Sequence, residues 1–218
     1  MKLRCTAAAL ALLVLAVPAL AQHEHGAKPA ATPAATPAAP AATSAAPAGG
    51  PSPAEMEAWQ KSMTPGPQHE ALAKLAGDWT FTNTMWMAPG QPPTESTGTM
   101  HAETTMGGRY VVEDWKGEMM GQPFEGHGTN GYNNVSKQYE NTWMDNMGTG
   151  IMYSTGGCDA AGVCTYKGES WDPMSGKKAT LRSVITWTDP NTFKMEMYGP
   201  APDGKEAKMM EIVAKRKS

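Results

Sequence analysis

The sequence lacks the motifs by which most catalytic sites are recognised. It has no nucleophile elbow, no phosphate-binding loop, no His-x-x-x-His zinc motif and no Ser-His-Asp order. Glu113 and Asp114 are adjacent acids, but neighbours on a strand point to opposite sides, which makes them a poor catalytic pair. We therefore expect no catalytic residues, no metal site and no cofactor in the folded part of the chain.

A basic surface stripe is missing as well. The chain carries 18 Lys and Arg against 21 Asp and Glu, which gives a net charge of -3. Surfaces that bind nucleic acid are strongly positive. The charge balance excludes nucleic acid as an expected partner.

The apolar run at residues 7–17 is too short to span a bilayer. It follows Lys2 and Arg4 and precedes Ala19, Leu20 and Ala21. A basic start, a short apolar stretch and small residues before a cleavage point are typical of a signal peptide rather than an anchor. We expect residues 1–21 to be removed by cleavage near Ala21. The sequence thus predicts a periplasmic or secreted protein without a transmembrane segment.

Residues 22–51 contain few groups that a core could bury. They are mostly Ala and Pro, with ATPAATPAAPAAT at the centre, a composition typical of a disordered, extended linker. His23, Glu24 and His25 lie near its start and are expected to form no more than a weak metal site. The folded domain is expected over residues 52–218, with the linker as its tether.

Cysteine is scarce. Cys5 falls in the expected signal peptide, which leaves Cys158 and Cys164 on either side of Asp-Ala-Ala-Gly-Val. In an oxidising compartment a disulfide across such a hairpin is the default. A redox pair or two soft-metal ligands are the alternatives. The C-x5-C spacing is not that of a redox motif, however, and no His is near in sequence to complete a zinc site.

Helical periodicity is confined to the start of the domain. Ser52 and Glu55 form a capping box for a first helix, in which Trp59 and Met63 recur at helical spacing, and a second short helix is expected near residues 67–76. The rest alternates between apolar and polar in short runs separated by turn residues, which is the all-β pattern. Short links between consecutive strands imply an antiparallel meander, which avoids unpaired edge strands by closing into a barrel. The expected fold is an antiparallel up-and-down barrel of about 8–10 strands, preceded by one or two short helices.

A set of short motifs is spread over residues 67–216. They are H-E-x-L-x-x-L-A-G-x-W at 69–79, G-G-R at 107–109, G-Q-P-F-E-G at 121–126, G-Y-N at 131–133, T-W-x-D at 142–145, D-P-x-x-G-K at 172–177 and D-G-K-E at 203–206. Together they resemble the bacterial family called domain of unknown function 1579, which is lipocalin-like. The resemblance implies a barrel and no known activity.

The G-D-W at residues 77–79 is also similar to the G-x-W that opens lipocalin barrels. In those barrels the Trp closes the floor, often under a basic residue of the last strand. The resemblance implies that Trp79 has this position and that Arg216 is the matching basic residue.

Methionine largely replaces leucine in the domain. Of the 17 methionines, 16 lie within residues 52–218, where leucine is reduced to Leu72, Leu75 and Leu181. Pairs such as Met195 and Met197 place both thioethers on one strand face. Met is an adaptable core filler, and its thioether also suits Cu(I).

Polar side chains fall on otherwise apolar strand faces. Asn83 shares a face with Trp79, Phe81, Met85 and Met87, and Asn141 and Asp145 share one with Tyr139 and Trp143. A few polar groups among aromatics and thioethers suit a small-molecule pocket. The expected ligand-binding residues are Asn83, Met85, Tyr139, Trp143 and Arg182. Arg182 and Glu211 are candidates for an ion pair.

The function that these patterns favour is non-catalytic binding by an exported protein, with a small apolar or amphipathic molecule held in the barrel. The first alternative is periplasmic copper handling through the Met pairs. The second is an enzyme acting on an envelope component. A haem would need an axial ligand in the lumen, for which His101 and His127 are the candidates.

Overall fold

The computed structural model describes residues 50–218 apart from Pro89, Met174 and Pro202. The expected signal peptide and nearly all of the expected linker lie outside the described residues, as do His23 and His25. The described part has two helices, α1 (Pro53–Met63) and α2 (Pro67–Ala73), ahead of ten strands. No helix in this part is long and apolar enough to cross a membrane.

The strands form one closed sheet. They are β1 (Gly77–Met85), β2 (Thr94–Thr105), β3 (Tyr110–Met119), β4 (Gln122–Asn133), β5 (Gln138–Asp145), β6 (Met152–Cys158), β7 (Cys164–Asp172), β8 (Lys177–Asp189), β9 (Thr192–Pro200) and β10 (Glu206–Arg216). Each pairs antiparallel with the next along the chain, and β1 also pairs with β10. The predicted up-and-down antiparallel barrel is therefore confirmed, with ten strands among the described residues.

Alternate side chains point into the barrel. On β1, Trp79, Phe81 and Asn83 are buried, and the threonines between them are exposed. This is the period of two that the sequence predicted. The prediction failed at Met87, which lies beyond the end of β1 and is exposed.

Glycines make room for large rings on the inner face. A Cβ built on Gly126 of β4 would lie 2.5 Å from the ring of Trp143 on the neighbouring strand. A Cβ on Gly98 of β2 would meet the ring of Phe81 equally closely. Each ring therefore lies across the adjacent strand, where any larger residue would displace it.

One end of the barrel, the floor, is closed by α2 and a stacked Trp–Arg pair. Leu72 of α2 is buried, Leu75 packs against the core, and Trp79 Nε1 donates to the Leu75 carbonyl at 2.8 Å. Arg216 on the last strand lies over Trp79, its guanidinium carbon 4.2 Å from the ring centroid. The floor that the lipocalin resemblance implied is confirmed, including its basic residue.

The first helix has the predicted capping box but no buried residue. Trp59 is exposed, and so is Met63. The end of α1 is held by polar contacts instead, because Asn134 Nδ2 donates to the Thr64 carbonyl at 2.8 Å and Arg109 Nη2 donates to the Met63 carbonyl at 2.7 Å. The helical spacing of apolar residues thus predicted the helix without marking a core face.

Cys158 and Cys164 form the predicted disulfide. They are cross-strand partners on β6 and β7, so the bond closes the hairpin between these strands. The antiparallel order places this hairpin at the floor end. The β3–β4, β5–β6 and β7–β8 connections lie at the opposite, open end.

Candidate functional site

A cavity of about 1880 Å³ occupies the barrel and extends to its surface. Leu72 of α2 and Leu75, just beyond its end, bound it at the floor, and Met147 and Ile151 of the β5–β6 loop line it at the open end. Both loop residues are also exposed to solvent, so the cavity reaches the surface at this end, which we call the entrance. Pockets for drug-sized molecules are about 300–1000 Å³, so the lumen has room for a larger or elongated molecule.

Aromatic rings in mutual contact line the half of the cavity nearer the entrance. The Phe81 and Trp115 centroids are 4.9 Å apart, those of Trp115 and Trp143 are 6.0 Å apart, and those of Phe124 and Trp143 are 6.4 Å apart. Edge-to-face and offset contacts of this kind are favourable beyond the area they bury. The two indoles are therefore held in fixed orientations on the cavity wall.

A chain of hydrogen-bonded polar side chains, which we call the polar ladder, crosses the wall from β3 to β6. Its members are Glu113, Asn130, Asn141 and Ser154. Asn130 Nδ2 donates to Glu113 Oε1, Asn141 Nδ2 donates to Asn130 Oδ1 at 3.0 Å, and Ser154 Oγ donates to Asn141 Oδ1 at 3.5 Å. Strand register causes this alignment, because Asn130, Asn141 and Ser154 are consecutive cross-strand partners.

Glu113 forms the β3 end of the polar ladder and supplies its carboxyl group. Burial raises its pKa, while hydrogen bonds from Trp115 Nε1, at 2.8 Å, and from Asn130 act in the opposite direction. Among the described residues no Lys or Arg forms an ion pair with it. Burial also raises the pKa of Tyr166, which lines the same cavity, and nearby Glu113 raises it further. The wall thus combines neutral donors and acceptors with one buried acid.

A second carboxylate lies nearer the entrance. Asp145 Oδ2 accepts from Trp143 Nε1 at 2.8 Å, and its Oδ1 accepts from the backbone N–H of Met147 at 3.0 Å. Asp145 is half-buried and lines the cavity. It joins the entrance loop to the aromatic wall.

Asn83 supplies a polar group on the wall formed by β1. Its Nδ2 donates to Ser96 Oγ at a long 3.4 Å, and its Oδ1 is buried with no hydrogen-bond partner among the described residues. A buried acceptor without a partner is costly. After a small shift of the Asn83 side chain, this oxygen could accept a hydrogen bond from a donor on a bound molecule.

Thioethers line the wall formed by β9 and β10. Met197 and Met210 are cross-strand partners, and Met195 lies two residues away on the same face of β9. All three line the cavity. Unbranched thioethers adapt to ligands of different shape, so this wall is the deformable side of the lumen.

Comparison with known proteins identifies the chain at the level of family. Residues 64–216 match the model of a family described as protein of unknown function (DUF1579). The chain belongs to this family. The resemblance predicted from the motifs is therefore confirmed, and the family description assigns no activity. No curated protein matches the chain.

Solved structures resemble this DUF1579 barrel in fold. The crystal structure of Rv2717c from M. tuberculosis has 16% identity and a TM-score of 0.52, and the match covers 71% of this chain and 100% of that chain. A de novo designed fluorescence-activating β-barrel has 15% identity and a TM-score of 0.39, over 67% of this chain and 97% of its own. The likeness to Rv2717c shows a shared fold and no more.

The DUF1579 barrel brings three of the five expected ligand-binding residues together. Asn83, Tyr139 and Trp143 line the cavity. Met85 lies half-buried at the end of β1 next to Met210 and is not among the lining residues of the described part. Strand alternation predicted that Asn83, Tyr139 and Trp143 face inward. Met85 departs from this pattern because β1 ends at this residue.

Arg182 lies on the outer face of the barrel. Its guanidinium donates to both carboxylate oxygens of Glu206, at 2.9 and 2.6 Å, and stacks on Tyr198 at 4.1 Å. The ion pair expected with Glu211 is wrong, since Glu211 pairs with Lys208 at 2.7 Å. Because neighbours along β8 alternate in direction, Arg182 points away from the lumen that Leu181 lines.

The two histidines considered as axial haem ligands are also on the outside. His101 Nδ1 lies 2.8 Å from Asp78, and His127 Nδ1 lies 2.9 Å from Asp114. Both rings are substantially exposed. Neither is placed to bind a group in the lumen.

Proposed function

We propose that this DUF1579 protein is an exported, non-catalytic carrier that holds a small apolar or amphipathic molecule in its barrel. The cavity supports this proposal most strongly, because it is large, has a mainly apolar lining that includes aromatic rings and thioethers, and is crossed on one side by the polar ladder. An apolar lining with a few oriented polar groups is the usual composition of a ligand pocket. The thioether wall holds the apolar body, and the polar ladder orients a polar end.

Filling the lumen tests this proposal. Ser183 lines the cavity, whereas its neighbour Val184 points to the outer face. We expect wild-type protein and Val184→Phe to enhance the fluorescence of phenylnaphthylamine, a neutral apolar probe, and Ser183→Phe to lose this effect while remaining folded. Equal probe binding by both variants would place the binding outside the barrel and contradict the proposal.

Native mass spectrometry of protein isolated from its own cells identifies the natural occupant and tests export. A discrete organic adduct on a chain that begins at Gln22 is the expected result, since cleavage is expected after Ala21. A chain that retains residues 1–21 in the cytoplasmic fraction would rule out the export part. A bare mass, together with no probe binding, would rule out the carrier.

A copper-handling role is the second candidate, and the thioether wall favours it. Met195, Met197 and Met210 bring three soft ligands to one region of the cavity wall, and thioethers suit Cu(I). In this role the protein would compete with a weak chelator for Cu(I), and the double variant Met197→Leu, Met210→Leu would not. Met106→Leu, at an exposed turn, is the matched control.

A further inference from the structure

Two tryptophans that face the cavity each donate to a carboxylate on their own strand. Trp115 Nε1 donates to Glu113 Oε2 at 2.8 Å, and Trp143 Nε1 donates to Asp145 Oδ2 at 2.8 Å. In each pair the acid is two residues from the indole, so ring and carboxylate share the inward face. The ring centroids are 6.0 Å apart at an interplanar angle of 78°. The two indole–carboxylate pairs therefore adjoin each other on one wall.

Both indoles line the cavity. Their faces carry the negative part of the ring quadrupole, which attracts organic cations, with Trp the strongest of the aromatic residues. When ionised, the carboxylate at the N–H edge of each ring adds negative charge beside it. This wall is consequently a region of negative potential inside an otherwise apolar lumen.

The cationic side chains that line the cavity do not neutralise this wall. Lys74, Lys167 and Lys178 are exposed at its margins, and Lys178 pairs with Glu169. Arg216 is engaged at the floor, where it donates to two backbone carbonyls. Within the described residues, the hydrogen bonds to Glu113 come from an indole and an amide.

We infer that the cavity selects an amphiphile whose polar head is an organic cation, a quaternary or protonated amine, over one with an anionic head. The head lies against Trp115 and Trp143, with Glu113 and Asp145 as its counter-charges, and the apolar body extends along the thioether wall. An anion in the same place would be desolvated beside carboxylates without a compensating charge. This inference rests on the proposed carrier function and specifies its ligand class.

Glu113 also links cation binding to pH. Burial raises its pKa, and a cationic head favours its ionised form, so binding releases a proton from Glu113 to solvent. Affinity for the cation should therefore rise with pH through the pKa of Glu113 in the free protein. The described titratable or charged groups on β3 itself are Tyr110, Asp114, Lys116 and Glu118, and those on the adjoining strands are Glu95, His101 and Glu103 of β2 and Glu125, His127 and Tyr132 of β4. Those of α2, its C-cap and the other cavity walls near Glu113 are His69, Glu70, Lys74, Tyr139, Asp145 and Tyr166. All of these are unchanged in a Glu113→Gln comparison.

Isothermal titration with three amphiphiles of equal chain length tests the inference. Decyltrimethylammonium, decanol and decanoate are compared below their micelle concentrations at about pH 8, above the ordinary carboxyl pKa. The cation should bind wild-type protein at least about tenfold more tightly than decanoate. Its affinity should rise with pH, whereas that of decanol should not.

Isosteric variants identify the carboxyl groups responsible for the preference for the cation. Glu113→Gln and Asp145→Asn should each reduce the preference for the cation several-fold, and Glu113→Gln should remove its rise with pH. Glu125→Gln is the matched control, since Glu125 of β4 is exposed and is not among the described residues that line the cavity. Thermal unfolding checks that each variant is folded, and Asp145, being only half-buried, provides the test if Glu113→Gln fails to fold.

The outcomes separate this inference from the function on which it rests. Decanoate binding as tightly as the cation, or a cation preference unchanged in both variants, would overturn the inference and leave the carrier function intact. Failure of all three amphiphiles to bind would overturn both.

Discussion

Arg216 stacks on Trp79 and at the same time ties the last strand to the helix that closes the floor. Its Nη1 donates to the Ala76 carbonyl and its Nη2 to the Lys74 carbonyl, each at 2.6 Å. One side chain thus satisfies two carbonyls at the end of α2 and covers the face of the buried indole. This contact joins β10 to the segment that closes the floor.

Replacing Arg216 by Ala should therefore destabilise the barrel substantially. Two charge-assisted hydrogen bonds and a cation–π contact on a half-buried side chain together suggest a loss of about 2–4 kcal/mol in the free energy of unfolding. Urea unfolding followed by circular dichroism measures it. Lys215→Ala, at the exposed neighbouring position, should change stability by less than about 0.5 kcal/mol. Equal effects of the two substitutions would show that the stacked pair is not a stabilising feature.

Replacing Asn130 in the middle of the polar ladder should lower the free energy of unfolding more than replacing Asn146, a surface residue whose side chain also forms two hydrogen bonds. Asn130→Ala leaves Glu113 Oε1 and Asn141 Nδ2 without their hydrogen-bond partner in the ladder, and we expect a loss of about 2–4 kcal/mol. Asn146 also forms two hydrogen bonds, to Glu125 N–H and the Pro123 carbonyl, but is exposed. Its replacement by Ala should cost about 1 kcal/mol or less. Similar losses for both in urea unfolding would contradict a structural role for the ladder.

The sequence predicted the barrel well because the signals for it are local. Alternation along each strand fixes which residues face inward, so Asn83, Tyr139 and Trp143 could be placed on the lumen side. The same alternation places Glu113 on a face with Val111 and Trp115, both of which are buried. Burial of Glu113 was therefore predictable, and its hydrogen bond to Asn130 was not, since that bond depends on the pairing of β3 with β4.

Side-chain contacts that depend on the register between strands could not be predicted from the sequence. The partner of Arg182 is decided by the register between β8, β9 and β10, and that register shifts at an irregularity between Lys208 and Met210. Glu206 rather than Glu211 comes within reach as a result. Met85 illustrates a related limit, because its distance from the cavity is set by where β1 ends.

The disulfide should contribute modestly to stability. It closes a loop with a sequence separation of 6 residues, and the chain-entropy relation gives about 2 kcal/mol for a loop of that size. The double variant Cys158→Ser, Cys164→Ser should therefore stay folded and lose about 2 kcal/mol in urea unfolding. Reductant should lower the stability of the wild-type protein to the level of the variant and leave the variant unchanged. Sensitivity of the variant to reductant would show that the effect does not come from this bond.

The buried acid makes the stability of the barrel depend on pH in a defined direction. Burial raises the pKa of Glu113 above its value in the unfolded chain, so the folded protein retains this proton to higher pH. Its contribution to stability is then present below the unfolded pKa of about 4.3 and is lost as pH rises through the folded pKa. Relative to Glu113→Gln, which does not titrate, the wild-type protein should lose stability in urea unfolding as pH rises from about 4.3 through the folded pKa. Glu118→Gln, at an exposed carboxyl, should follow the wild-type curve, and parallel curves for wild type and Glu113→Gln would show that the Glu113 pKa is not raised by folding.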